Sequence, residues 1–296
     1  MLKLNTKRKR KKKEEKKKPE AEMSFLEHLE ELRWHLIRSF AAIVVLGIGV
    51  FLNIKTVVDQ VFLKPFESDF PLHRFLCNLQ ESLCFEEMPV DFIVIAPYEQ
   101  FLKSISVSLI CGFILSFPYF IWEMWRFIKP GLHDHEQKSL RGTVFITSLL
   151  FFIGVGFAYY IVAPFSAQFL SNYNISDQIQ NQWRMGAVIT MVSQIVLAGG
   201  VLFELPIIVY YLSKMGILTP KLMRTYRRHS IVVLMLLSAV ITPPDALTMI
   251  LIFIPLFFLY EISIRISAVT NKKREKELAQ ELGMTTTDNG QSGDPS

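Results

Sequence analysis

The 296-residue chain is 51% hydrophobic, contains 24 phenylalanines and has a formal net charge of +5. Apolar runs of membrane length recur along it, which excludes an ordinary soluble domain and points to an integral membrane protein. The charge is not a nucleic-acid face, because residues 1–18 alone hold eleven Lys/Arg against two Glu and the remainder is net acidic.

Residues 1–23 (including KRKRKKKEEKKK) read as a disordered polybasic tail, too poor in apolar groups to pack. The tail reinforces a cytosolic N-terminus or lies on anionic lipid. The first apolar run begins only at about residue 39, too late for a signal peptide. Between tail and run lies SFLEHLEELRWHLIR (24–38), with Glu27, Glu30 and Glu31 where a cytosolic flank favours Lys and Arg. A cationic ligand is one explanation for these carboxylates.

Six helical spans are expected, at 39–54, 104–122, 142–163, 186–212, 230–244 and 246–260, because backbone in hydrocarbon must satisfy its own hydrogen bonds. The last two hold 15 residues each, about 22 Å of helix against a hydrocarbon core of about 30 Å. Thr242-Pro243-Pro244-Asp245 argues for a tight outer hairpin between them, since paired prolines break a helix and an aspartate is costly at mid-bilayer. Thirteen Lys/Arg precede residue 39, four lie in 126–141, five in 213–229 and five after 260, against three in 55–97 and one in 164–185. Six spans with both termini cytosolic put every basic loop on one face.

The outer loop 55–97 carries an amphipathic stretch near Phe75–Phe85, expected to cap the outer surface. Its Cys77 and Cys84 are separated by six residues and form either a disulfide or two free thiols. The membrane domain is thus 24–265, followed by a polar cytosolic tail, 266–296, that should fray from about residue 271.

Enzyme signatures such as HExxH, GxSxG, a Walker loop or CxxC do not occur, so neither catalysis nor a cofactor is implied. His133, Asp134, His135 and Glu136 look like metal ligands but lack a second ligand group, and read better as a solvated turn. Glu31 and Glu136, both at the inner surface, suit two guanidinium groups. Aromatic neighbours would add stacking to bidentate hydrogen bonds. Local pairing with Arg33 or Arg141 is the structural alternative. Glu204 lies deep in the fourth span, where an ionised carboxyl costs about 3 kcal/mol. It is neutral and buried, or faces a wet path or a partner helix. Gln194, about three turns away, is too far to bond it directly.

HLEELR (28–33), FIKPGLHDHE (127–136), LFELP (202–206), MGILTP (215–220) and TPPD (242–245) occur in this order. Together with six spans ending in two short ones, they resemble the TatC family, the core receptor of the twin-arginine translocase, over residues 24–265. The resemblance implies an all-α, curved, glove-like bundle in the bacterial inner membrane that binds twin-arginine signal peptides of folded cargo. It implies Glu31 and Glu136 as the arginine-recognition carboxylates, with Arg33 and Phe127 beside them. Glu204 would be the polar residue of the concave face, and Asp245 and Pro65 outer-side residues. It further implies TatA- and TatB-type single-span partners, self-association in a receptor complex, and transport driven by the proton-motive force without a cofactor. His35 stands where a second basic residue is usual, and Glu30 where an apolar residue is frequent. A proton-coupled secondary transporter using Glu204 is the competing reading, and an intramembrane enzyme a more distant one.

Overall fold

The computed structural model describes residues 25–67, 69–79, 92–128, 140–173, 176, 182–242 and 246–281. Helix α1 (Phe25–Leu52) ends where the Asn53 side chain donates to the Gly49 carbonyl. The chain then turns through Ile54–Val57, a π-helical turn Val58–Phe62 and a 3-10 turn Lys64–Phe66 that buries Pro65. Helix α2 (Pro71–Leu79) is the observed part of the predicted outer cap; its 80–85 continuation lies outside the described residues. Strand β1 (Phe92–Ile93) leads into α3 (Pro97–Ile128), and α4 (Leu140–Phe157) passes through a π turn (Ala158–Val162) into α5 (Ala163–Asn172). Pro164, which lacks an N–H, falls in the first turn of α5, where no intrahelical donor is needed. Strand β2 (Trp183–Arg184), α6 (Met185–Leu202) and α7 (Leu205–Lys214) follow, then α8 (Pro220–Thr225), α9 (Arg227–Ile241) and α10 (Ala246–Glu281).

Among the described residues, five helical segments are long and apolar enough to cross a membrane: Glu30–Leu52, Pro97–Phe127, Gly142–Asn172, Met185–Lys214 and Ala246–Lys276. The fifth predicted pass, α9, is a 15-residue helix and falls short of that length, as its apolar run implied. Two expectations need correction. The sixth pass is not a 15-residue helix, and it does not fray from residue 271, because α10 is a continuous 36-residue helix. The fourth pass crosses as Met185–Lys214, with its regular helix interrupted at Phe203–Glu204 just before Pro206.

Polar docking of its second half sustains α10. Ser213 donates to Ser267 (2.7 Å), Asn271 donates to the Leu218 carbonyl (3.1 Å), Tyr260 donates to the Met223 carbonyl (2.8 Å), and Arg227 pairs with Glu261. Gly216 adopts φ +79°, a left-handed turn that lets the Arg274 guanidinium lie against it.

Contacts between sequential passes are antiparallel. His35 near the start of α1 meets Glu123 near the end of α3, and Thr143 at the start of α4 meets Tyr211 near the end of α7. At mid-height α1 and α3 approach so closely that a Cβ on Gly112 would lie 2.7–2.9 Å from backbone atoms of Ile43 and Gly47. At one end β1 and β2 pair in parallel, Phe92 with Trp183 and Ile93 with Arg184, and so tie together the segments that lead into α3 and α6. Beneath them Phe62, Phe66, Val107, Ala167 and Val188 form one buried cluster; a second joins Val162, Ile195, Leu234 and Leu256 across α6, α9 and α10. Outward faces stay apolar, with Leu52 and Val240 more than three-quarters exposed, as lipid-facing helices require.

Candidate binding site at the helix ends

The end of the bundle where α1 begins and α3 finishes carries a polar cluster on the α1–α3 interface. His35 and Glu123 are 6% and 2% exposed, and the His35 Nδ1 is hydrogen-bonded to the Glu123 carboxylate. The Tyr119 hydroxyl, one turn before Glu123, donates to its other oxygen at 3.0 Å. A buried charge-capable pair is tolerable only when its remaining lone pairs are met, and Tyr119 meets one. The Phe127 ring lies 6.3 Å from the His35 ring at 58°.

Glu31 sits one turn before His35 on the same face of α1. It is half-buried, and its Oε2 is shut off from solvent without a hydrogen-bond partner among the described residues. A carboxylate oxygen in that state is an open acceptor. Arg33 points to the exposed side of the helix and pairs with no acid among the described residues, so local neutralisation of Glu31 by Arg33 is not what the structure holds. The structure therefore gathers Glu31 and Phe127 around His35 and leaves Arg33 exposed. Glu136 and Arg141's side chain lie outside what is described.

Sequence reasoning missed the centre of this cluster. Glu123, the residue directly after the 104–122 run, drew no reading, and His35 entered only as an unusual residue. The available signal was spacing: Glu31 and His35, like Tyr119 and Glu123, are four apart and share a helix face.

Glu204 occupies the break between α6 and α7, 8% exposed, with both carboxyl oxygens buried and unpartnered among the described residues. Gln194 does not join it: it is exposed and lines a separate cavity toward the β1–β2 end. There Arg184 grips Glu99 through Nε (3.1 Å) and a terminal nitrogen (3.0 Å), and the Lys103 Nζ donates to the Thr190 hydroxyl at 2.5 Å. These three links between α3, β2 and α6 were not read from the sequence either. Pro65 is buried in its 3-10 turn. Cys77 is held in a disulfide and Cys111 is a free thiol. Cys84 and Asp245 lie outside the described residues.

Residues 27–255 match the family model described as Sec-independent protein translocase protein (TatC). The chain is similar to the Sec-independent protein translocase protein TatC of Blattabacterium sp. subsp. Periplaneta americana, 35% identical over 260 residues that cover 86% of this chain and 98% of that one. The Aquifex aeolicus protein of the same name is 32% identical over 255 residues, again 86% of this chain and 98% of the relative. A crystal structure of the twin-arginine translocase receptor TatC in DDM superposes with a TM-score of 0.66 at 32% identity, covering 81% of this chain and 99% of that one.

Proposed function

Because the chain belongs to the TatC family of Sec-independent protein translocase proteins, we propose that it receives the twin-arginine signal peptides of folded cargo at the α1–α3 end. It is a multi-pass helical membrane protein and a component of a protein translocase, which does not favour the reading of Glu204 as the proton site of a small-solute transporter. A transport role agrees with the lack of enzyme motifs in the sequence.

The observation that carries the arginine reading is Glu31. Its buried oxygen, unpartnered among the described residues, is positioned to accept from a guanidinium, and Phe127 packs beside His35 one turn along. Glu136, in the loop after α3, supplies the second carboxylate, and Arg33 frames the entrance. The basic loops set this end in the cytosol of a bacterial cell, with both termini inside and the membrane being the inner one. Glu204 is a polar contact for a partner helix of the TatA or TatB type, and Gln194, exposed on the same pass, is a second. Pro65 and Asp245 shape the outer side, and Cys77 pairs with Cys84 to staple the outer loop. The chain self-associates in a receptor complex, and the proton-motive force drives transport.

The test is photo-crosslinking of a twin-arginine peptide to probes at Glu31 and Glu136. The twin-arginine peptide labels both positions, and its Lys-Lys version does not, because an ammonium cannot form the bidentate pair. Equal labelling by the two peptides would overturn the arginine patch.

A further inference from the structure

A cavity of about 690 Å³ opens toward the β1–β2 end, between the first turns of α3 and α6 and the last turn of α9. One wall is polar, with Glu99, Lys103 and Arg184; the other is apolar, with Val188, Met191 and Ile241. The charges on the polar wall do not balance. Glu99 is bound twice by Arg184 and also sits against Gly186 in the first turn of α6, where a Cβ would meet its Oε1 at 1.9 Å. It is therefore committed to Arg184 and to the helix N-terminus.

Lys103 is the cation left over. Its ammonium is half-buried and bonds only the neutral hydroxyl of Thr190, which itself donates to the Gly186 carbonyl at 2.7 Å. Among the described residues Lys103 forms no ion pair. A partly desolvated ammonium with two unused donors, facing a cavity, calls for an anion.

Depth and lining identify which anion. Lys103 directly precedes the apolar run 104–122, Gly186 opens the run 186–212, and Thr242, also on the cavity wall, follows the end of α9. The polar wall is thus level with the lipid headgroups, and the apolar wall reaches into the acyl region. We propose that the cavity is a binding site for a membrane phospholipid, with its phosphate on Lys103 and an acyl chain along Val188, Met191 and Ile241.

Trp183 also lines the cavity and is a built-in reporter. The full-length chain carrying Trp34→Phe, Trp122→Phe and Trp125→Phe is reconstituted in phosphatidylcholine bilayers, and Trp183 quenching is titrated with brominated phosphatidylglycerol or brominated diacylglycerol. The phosphate-bearing lipid is expected to quench at lower mole fraction. Lys103→Gln should reduce that preference about fivefold, and Lys103→Arg should keep it. Unchanged acrylamide access to Trp183 reports that each variant keeps its fold. Inorganic phosphate should not relieve the quenching; relief would mean a free-phosphate site and overturn the lipid assignment. Equal quenching by the two lipids, or a Lys103→Gln variant that behaves as the parent, overturns it as well. So does displacement of both lipids by a transmembrane peptide bearing one glutamate, which would assign the cavity to a protein carboxylate.

Discussion

His35 and Glu123 are 88 positions apart in sequence and share a buried hydrogen bond across the α1–α3 interface, with Tyr119 on the second carboxylate oxygen. Removing one partner leaves the other buried and uncompensated. Glu123→Ala or His35→Ala should therefore cost roughly 3–5 kcal/mol, whereas the double replacement His35→Leu with Glu123→Leu should cost clearly less than either. Unfolding in detergent by denaturant titration checks the order. A double variant less stable than both singles would contradict it.

The α1–α3 contact also depends on Gly112. A methyl there would press on the backbone of Ile43 and Gly47, which cannot swing aside as a side chain would. Gly112→Ala should destabilise by about 1–3 kcal/mol and loosen the Glu31–Phe127 geometry, raising the Kd for a twin-arginine peptide. Gly49→Ala, whose Cβ meets nothing within 4 Å, is the matched control and should change neither.

His73 in α2 is 3% exposed against Phe70, and burial lowers its pKa from the ordinary 6.5, outweighing the opposing effect of the Glu67 backbone. Well above pH 6.5 the imidazole is neutral in folded and unfolded chain alike and contributes no pH dependence. As pH falls below 6.5, the unfolded segment takes up a proton before the folded one does, so stability is lost on acidification. Protection factors of the α2 amides, which correct exchange for its intrinsic slowing in acid, should fall as pH is lowered from about 7.5 to about 5.5, roughly one pH unit either side of the ordinary imidazole value. His73→Phe should flatten that dependence.

Glu204 holds two buried oxygens without partners among the described residues. Leucine in its place removes them, so Glu204→Leu should raise stability by about 1–3 kcal/mol. If the carboxyl serves a partner helix, the same variant should transport less while binding signal peptide normally. Thermal unfolding and vesicle transport, measured on one preparation, separate the two effects.

The shortness of α9 carries its own expectation. Fifteen residues span about 22 Å, so a crossing by α9 would thin the bilayer around it at a cost of a fraction of a kcal/mol per Å. Inserting four leucines into α9 should impair export and leave signal-peptide binding intact. Export at the parental rate would remove thinning from the mechanism.

Hydropathy located the passes because lipid exposure demands long apolar runs, and it located Glu204 because a carboxyl inside one is conspicuous. It could not find the break at Phe203–Glu204, since apolar residues continue through it, nor the π turn at Ala158–Val162. The second half of α10 was missed for the opposite reason. Ser267 and Asn271 hold it by hydrogen bonds to the 213–218 segment and Arg274 packs over Gly216, contacts to which a hydropathy scale is blind. The site was legible at Glu31 and Phe127, where motif and helix face coincide. Glu123 was not, because its pairing depends on the register of two helices whose contact is set by Gly112.

The left-handed turn at Gly216, covered by Arg274, has a mechanical consequence. The C-terminal helix is riveted to the joint between the fourth and fifth passes, not trailing from it. Tension applied at residue 281 is therefore delivered along a stiff rod to that joint, making the far end of this helix a handle on the bundle's interior.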